Sequence, residues 1–228
     1  MAKGVVSGVV SYELEESVAV VRMDDGKANA LAPDLVAAVD EALDRAEKEA
    51  RCVVIAGRPG RFSAGFDLSV MREGGDAVRR MVTAGAELAF RLYGFPTPVV
   101  MACTGHALAM GAVLLLAGDT RLGAEGEFKI GLNEVAIGMT LPVFAVELTR
   151  DRLSTGHLTR AVLEAEIYSP ATAVEACFLD RVVAPDALFD EARAEARRLA
   201  ELDLRAHHST KLNLRGRAIQ HMRDSVSR

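Results

Sequence analysis

The chain has 228 residues, 50% hydrophobic and 26% charged, with a formal net charge of −5. That length and apolar content support one sizeable core with or without a small appendage, and the acidic balance leaves no basic footprint for nucleic acid. The odd set Cys52, Cys103 and Cys177 argues against a disulfide framework and for reduced, buried thiols in a cytosol; the five histidines lack zinc spacing, and neither a signal peptide nor a membrane-spanning apolar run is expected.

In chain order, residues 9–14 and 18–23 read as two strands joined by an acidic turn at Glu15 and Glu16. Pro33 suits the first turn of a helix running to about residue 48, with Leu35, Val36, Val39, Leu43 and Ala46 on one face. The apolar run 52–56 reads as a strand buried on both faces, as in a parallel sheet. Strand, helix, strand is the unit of a right-handed crossover, and its loops collect ligands. Gly57, Pro59 and Gly60 mark a loop that leads into Ser63-Ala64-Gly65-Phe66-Asp67. Small residues there expose backbone amides, and Asp67 is placed to cap the following turn. Ser63 is a poor nucleophile candidate, because the elbow turn needs glycine two places earlier, where Arg61 stands, and no convincing Asp and His pair accompanies it.

Residues 71–75 are polar and glycine-rich, and 76–93 read as a helix with Val78, Met81, Val82, Leu88 and Leu92 facing inward. A strand follows through residue 103. The stretch TGHALAMGAVLLLAGD, residues 104–119, starts with small residues and continues as an apolar run, which predicts a tight turn into a closely packed helix. The first amides of such a helix, at Met110 and Gly111, have no partner within it and favour an oxygen that is gaining negative charge. The same residues also describe a glycine-eased core helix. One amide from residues 64–67 and one near Met110 can meet on a single oxygen. After a short strand at 119–124, NEVAIGMTLP (133–142) sets Glu134 before an apolar turn. Partial burial there raises a carboxyl pKa toward that of a proton shuttle, with Asn133 beside it to orient it; a surface glutamate at a strand end is the alternative. Helices are predicted at 142–153, 154–166, from Ser169-Pro170 to 178, at 186–200 and from residue 205 onward, with a short strand at 180–183.

Taken together, these strings resemble the crotonases, the enoyl-CoA hydratase/isomerase superfamily. FSAGFDL resembles the family's A-G-x-D segment, and GHALAMGAVL its G-x-A-x-G-G-G-x-x-L segment. DDGKANAL resembles the N-terminal R-P-x-x-x-N-A-L stretch, PVVMACTG the strand before the second amide, and NEVAIGMTLP the glutamate-bearing loop. The resemblance runs over residues 9–217. It implies an α/β fold, a spiral of ββα units, with a crotonase core over residues 1–185 that holds an acyl-CoA site. Residues 186–228 are then a helical region that packs subunits into trimers or dimers of trimers. It further implies a cytoplasmic enzyme of fatty-acid metabolism with no cofactor beyond the CoA of its substrate, no metal, and no nucleic-acid or membrane partner.

Position by position, the resemblance implies that the amides of Phe66 and Met110 form an oxyanion hole for a thioester carbonyl. Ala109 and Met110 stand where the family usually has glycine. Glu134 matches the glutamate shared by hydratases and isomerases, and substrate contacts fall at Lys27, Ala28, Arg58, Ala64, Gly65, Asp67, Leu68, Met71, Gly111, Val113 and Met139. By resemblance Lys27, Arg58 and Lys211 reach CoA phosphates, whereas by residue type alone they are solvated surface cations. Met71 and Met81 line an acyl channel by resemblance, and plain core by helical spacing. Val113 occupies the place of the hydratases' second glutamate, three residues after the second amide. One carboxylate suffices to move a proton from C2 to C4, so the expected activity is Δ3,Δ2-enoyl-CoA isomerisation. Hydration of 2-enoyl-CoA to 3-hydroxyacyl-CoA and non-catalytic acyl-CoA binding are the alternatives.

Overall fold

The apolar runs become central strands because both of their faces are covered. In the computed structural model, which describes residues 2–226 and side chains from residue 7 onward, β1 (Ala2–Ser7), β2 (Val10–Glu15) and β3 (Val18–Met23) form an antiparallel meander followed by α1 (Pro33–Glu49). Three turns of a spiral follow. The first is β4 (Cys52–Ala56), β5 (Gly60–Ser63) and the helices α2 (Leu68–Glu73) and α3 (Gly75–Tyr93). The second is β6 (Val99–Cys103), β7 (Gly105–Leu108) and α4 (Met110–Leu116); the third is β8 (Thr120–Ala124), β9 (Ile130–Gly131) and α5 (Val143–Arg152). The chain closes with α6 (Thr155–Val162), β10 (Ile167–Tyr168), α7 (Pro170–Glu175), β11 (Arg181–Val183), α8 (Leu188–Ala200) and α9 (Leu204–Val226).

The first strand of each turn enters a seven-stranded sheet of order β1-β2-β3-β4-β6-β8-β11, and the second enters a four-stranded sheet of order β10-β9-β7-β5. From β3 to β11 the large sheet is parallel, as the strand-helix-strand pattern predicts. Alternation along its strands divides the core. Val53, Ile55, Val99 and Met101 join one cluster with α1, α3 and α4, while Cys52, Val54, Val100 and Ala102 meet Leu188, Ala192 and Ala196 of α8 on the other face. α9 lies against α3 and α5.

Two segments differ from expectation. Residues 60–63 and 105–108, read as loop and as the entry to a helix, are strands, so α4 begins only at Met110 and is seven residues long. Neither GRFS nor GHAL carries a β-branched residue; the strands exist because β5, β7 and β9 pair with one another. Strand β1 was not expected. Of the thiols, Cys52 and Cys103 are buried, which pushes both up to about 12, but Cys177 is only half-buried at the end of α7. Among the described residues no helix is long and apolar enough to cross a membrane.

Candidate active site

Three parallel strands of the small sheet end side by side. Ser63 of β5 pairs with Ala107, and Leu108 of β7 pairs with Gly131, so the segments that follow β5, β7 and β9 leave from one edge. These segments carry residues 64–66, 109–110 and 133–134. The Ala64 N–H donates to Ala28 O at 3.0 Å, the Gly65 N–H to Ser63 Oγ at 3.2 Å, and the Ala109 N–H to Gly131 O at 3.0 Å. Among the described residues no group accepts from the N–H of Phe66 or Met110. Unpaired amides in a packed region are free to bind a ligand's oxygen.

The two turns touch. Gly65 has φ +88°, and a methyl added there would lie 2.8 Å from Ala109 Cβ and 3.1 Å from Met110 N. A methyl at Gly111 would meet Ser63 O at 2.4 Å, so these glycines let the backbones close on each other. The side chains go the other way: Phe66 Cε1 and Met110 Cε lie 2.5 and 3.8 Å from a Cβ built on Gly85 in α3. Met110 is 2% exposed, and its side chain fills core. Because α4 is so short, the donor is the Met110 N–H itself more than a long macrodipole.

Ala109 produces the turn. Its φ of 52° and ψ of −130° are conformations that a side chain resists, at a cost of roughly 1–3 kcal/mol. Ala109→Gly is therefore expected to stabilise the fold by about 1 kcal/mol, since released strain exceeds the roughly 0.4–1 kcal/mol of added freedom in the unfolded chain. Urea unfolding checks this, and a midpoint that stays or falls rejects the strain.

Glu134 precedes a 3-10 turn (Val135–Ile137) that is closed by the Met139 N–H on Glu134 O at 2.9 Å. It is 8% exposed, and its Oε2 has no partner. Burial holds its carboxyl above the usual carboxylate range, opposed only by a bond from its own backbone N–H. Asn133 Oδ1 is likewise buried and unpartnered. Immediately beyond lies an apolar cavity of about 470 Å³ whose wall includes Val135, Met139, Leu141, Val146 and Val162.

Asn29, given no role by the sequence reading, holds the first turn. Fully buried at φ 50°, it donates through Nδ2 to Met23 O and Phe62 O at 2.9 and 3.1 Å, and its carbonyl accepts from Ser63 Oγ at 2.8 Å. Ser63 Oγ in turn takes the Gly65 N–H, so this hydroxyl is a brace and no nucleophile. The signal was the Asn-Ala-Leu string itself, whose asparagine suits a left-handed position.

The profile of the enoyl-CoA hydratase/isomerase family matches residues 13–221. The chain belongs to that family. A putative enoyl-CoA hydratase of Thermus thermophilus is 33% identical over 199 residues, covering 81% of this chain and 75% of that protein. Mitochondrial enoyl-CoA delta isomerase 1 of Rattus norvegicus is 29% identical over 191 residues, 82% of this chain and 66% of that one. The crystal structure of an enoyl-CoA hydratase/isomerase family protein from Pseudomonas syringae superposes with a TM-score of 0.95 at 42% identity, covering 98% of this chain and 97% of that chain. The crotonase spiral and its helical C-terminal region are thus the observed fold.

The other crotonase positions divide. Asp67 caps α2 as expected, its Oδ1 accepting from the Ser69 N–H at 2.7 Å, and this bonding with Ser69 holds its carboxyl below the usual range. Ala64 and Lys27 are exposed and Leu68 stands 57% exposed, all open to a ligand. Arg58 is instead bound to the neighbouring loop, donating to Lys27 O at 2.7 Å and pairing with Asp24 at 3.1 Å, so it braces that loop. Met71 is half-buried, while Met81 is 1% exposed and forms the floor of a groove of about 440 Å³ with Val36 and Val70. Val113 is fully enclosed in the core. Lys211 corrects the expectation of a solvated or phosphate-bound lysine: it is 5% exposed, and its ammonium donates to Asp119, Phe95 O and Thr97 O. Among the described residues no group of His, Cys, Asp and Glu suits a metal ion.

Proposed function

We propose that the protein shifts the double bond of a 3-enoyl-CoA thioester to the 2-position, with Glu134 as base and then acid. The observation that carries this reading is one buried carboxyl group with an unpartnered oxygen, on a segment that leaves the same sheet edge as two unpaired amides, with valine at 113 in place of a second carboxylate. The thioester oxygen takes the N–H groups of Phe66 and Met110. Removing a C2 proton builds negative charge on that oxygen, and fixed donors in a dry site stabilise it, each worth on the order of 3 kcal/mol in other enzymes. Glu134 receives the proton and returns it at C4, so the electron pair passes through a dienolate and no water is consumed. Lys27 and the exposed backbone near Ala64 face the CoA portion, and the cavity that includes Met139 suits the hydrocarbon. The trimeric assembly that the resemblance implies belongs to the same reading and is checked by light scattering.

Purified protein assayed on 3-enoyl-CoA and 2-enoyl-CoA decides the reaction. Conversion of the first without hydration of the second is the expected result; fast hydration with negligible isomerisation rejects the proposal in favour of a hydratase, and tight binding without turnover of either leaves an acyl-CoA binder. The pH dependence is a second check. Glu134 acts as a base only when deprotonated, and its pKa is raised, so kcat must fall with decreasing pH at values above those of an ordinary carboxylate. A fall confined to the usual carboxylate range contradicts this.

A further inference from the structure

Gly85 lies in the middle of α3, buried and outside the positive-φ region. No turn requires glycine there, and glycine is among the poorest residues for a helix interior. What it provides is room. A methyl group at this position would lie 2.5 and 2.8 Å from Cε1 and Cζ of the Phe66 ring, closer than carbon atoms pack, and 3.8 Å from Met110 Cε, an ordinary contact. The side chains of both residues that present an unpaired amide therefore rest on one spot of α3, and the Phe66 ring fills the space that a side chain at residue 85 would take.

We propose that Gly85 is a positioning residue for the oxyanion hole: by seating the Phe66 ring it sets the direction of the Phe66 N–H. The inference rests on the reading of the Phe66 and Met110 amides as donors to the thioester oxygen. The peptide unit that joins Gly65 to Phe66 is planar, so its N–H turns with its carbonyl. The Leu31 N–H holds that carbonyl, donating to Gly65 O at 2.8 Å, and the seated ring holds the other end of the unit through the Phe66 Cα. Gly65 has no slack to give, since a methyl there would lie 3.1 Å from Met110 N. With a methyl at residue 85, the ring must move by about 1 Å to reach normal carbon separation. The ring is half-buried and packs against the large core cluster, so part of that displacement passes to Cα and to the N–H beside it. Misplacement of about 1 Å near a reacting centre costs on the order of 10²-fold in rate.

A double-mutant cycle tests the seat. Gly85→Ala removes the room, whereas Phe66→Leu shortens the side chain and keeps the backbone N–H. For the wild type, both single variants and the double variant, kcat and KM are measured on 3-enoyl-CoA, and thermal unfolding reads whether each folds. The infrared thioester carbonyl band of a bound saturated acyl-CoA is followed as well; it moves to lower frequency when the two amides polarise the carbonyl, and it needs no turnover. Gly85→Ala is expected to lower kcat about 10- to 100-fold with little change in KM, and to return the bound band toward its free position. Phe66→Leu empties the seat and moves the band the same way by less. In that background the methyl at residue 85 refills the vacated space, so it costs nothing or restores kcat and band. A folded Gly85→Ala protein with wild-type kcat and band overturns the proposal, and so does an equal loss in both backgrounds. If Gly85→Ala unfolds by itself and the double variant folds, Phe66→Leu against wild type reads the seat, and an unchanged band there overturns it; unfolding in both backgrounds overturns it too. A wild-type band that does not move on binding refutes the oxyanion reading and the proposal with it, whereas a wild-type shift that Gly85→Ala leaves intact refutes the proposal alone. If 3-enoyl-CoA is not turned over while the bands behave as expected, the isomerase reading fails and the seat stands.

Discussion

Glu134→Gln is expected to lower kcat on 3-enoyl-CoA by about 10²- to 10⁴-fold, the loss typical of removing a positioned acid/base. Glutamine keeps the length and shape of the side chain and cannot carry the proton. The amides of Phe66 and Met110 are backbone groups and are untouched, so KM should change little. Loss in kcat without loss in binding distinguishes a missing proton carrier from a damaged site. Stability should hold or rise, because the wild type keeps a buried carboxyl with one unpartnered oxygen and the variant removes its charge. Steady-state kinetics and thermal unfolding on the same preparation check both halves. Retention of more than about a tenth of wild-type kcat would show that another group carries the proton.

How much of this site could be read from the sequence depends on the range of the interactions that build it. β4 and β6 were legible as CVVIA and VVMAC because strands buried on both faces must be apolar throughout, and all residues of both are buried. The strands that present the two amides were not. Gly105 must lack a side chain because a Cβ there would fall 2.1 Å from the Gly60 carbonyl carbon, and nothing in GHAL announces that neighbour. Asn29 lies in a legible motif, yet its hydrogen-bond partners Arg61 and Phe62 lie 32 and 33 residues away, so its bracing role appears only after folding. Glu134 was named from the motif, but its burial comes from tertiary packing. Lys211 was not legible, and neither were the bonds that Arg58 makes to Asp24 and Lys27. A cation on a charged helix or loop reads as solvated, and whether it finds an anion depends on which distant segment the fold places beside it.

Val113 shows how this site could differ from a two-carboxylate one without a change of fold. It sits one turn into α4, with its amide bonded to Ala109 O, and it is fully enclosed by core. A glutamate there would need a partner or a bound water, since an isolated buried carboxylate costs several kcal/mol or shifts its pKa until it is neutral. With valine, this turn of α4 is apolar, and under the isomerase proposal Glu134 is the one carboxyl group that moves the proton. Two amides and a single carboxyl group are the minimum set for moving a proton across an allylic system.

The largest effect on stability is expected at Asp119, far from the reacting carbons. This carboxylate follows α4 by three residues and receives Lys211 Nζ and Arg215 Nη1, each at 2.7 Å, together with the Val99 N–H at 2.8 Å. Lys211 also donates to Phe95 O, and Arg215 to Tyr93 O, so the triad ties α9 to the segment between α3 and β6 and to the start of β8. The side chains of Lys211 and Arg215 are 3% and 7% exposed. Asp119→Ala leaves two buried cations without their anion, and breaking such a set costs about 3–5 kcal/mol. The sign of the pH dependence separates this from lost packing. Burial already lowers the pKa of Lys211 despite Asp119, and without Asp119 it must fall further. Over the interval between that folded value and the higher unfolded one, the unfolded chain holds more protons, so the variant regains stability as pH rises. Arg215 also loses its anion in this variant, which keeps the recovery partial. Adding Lys211→Met to Asp119→Ala should restore more than raising the pH, because the second substitution removes one buried charge outright. Urea unfolding across pH 7 to about 10 reads all three, and a cost below about 1 kcal/mol that is flat with pH would mean that α9 is held by its apolar contacts and not by this triad.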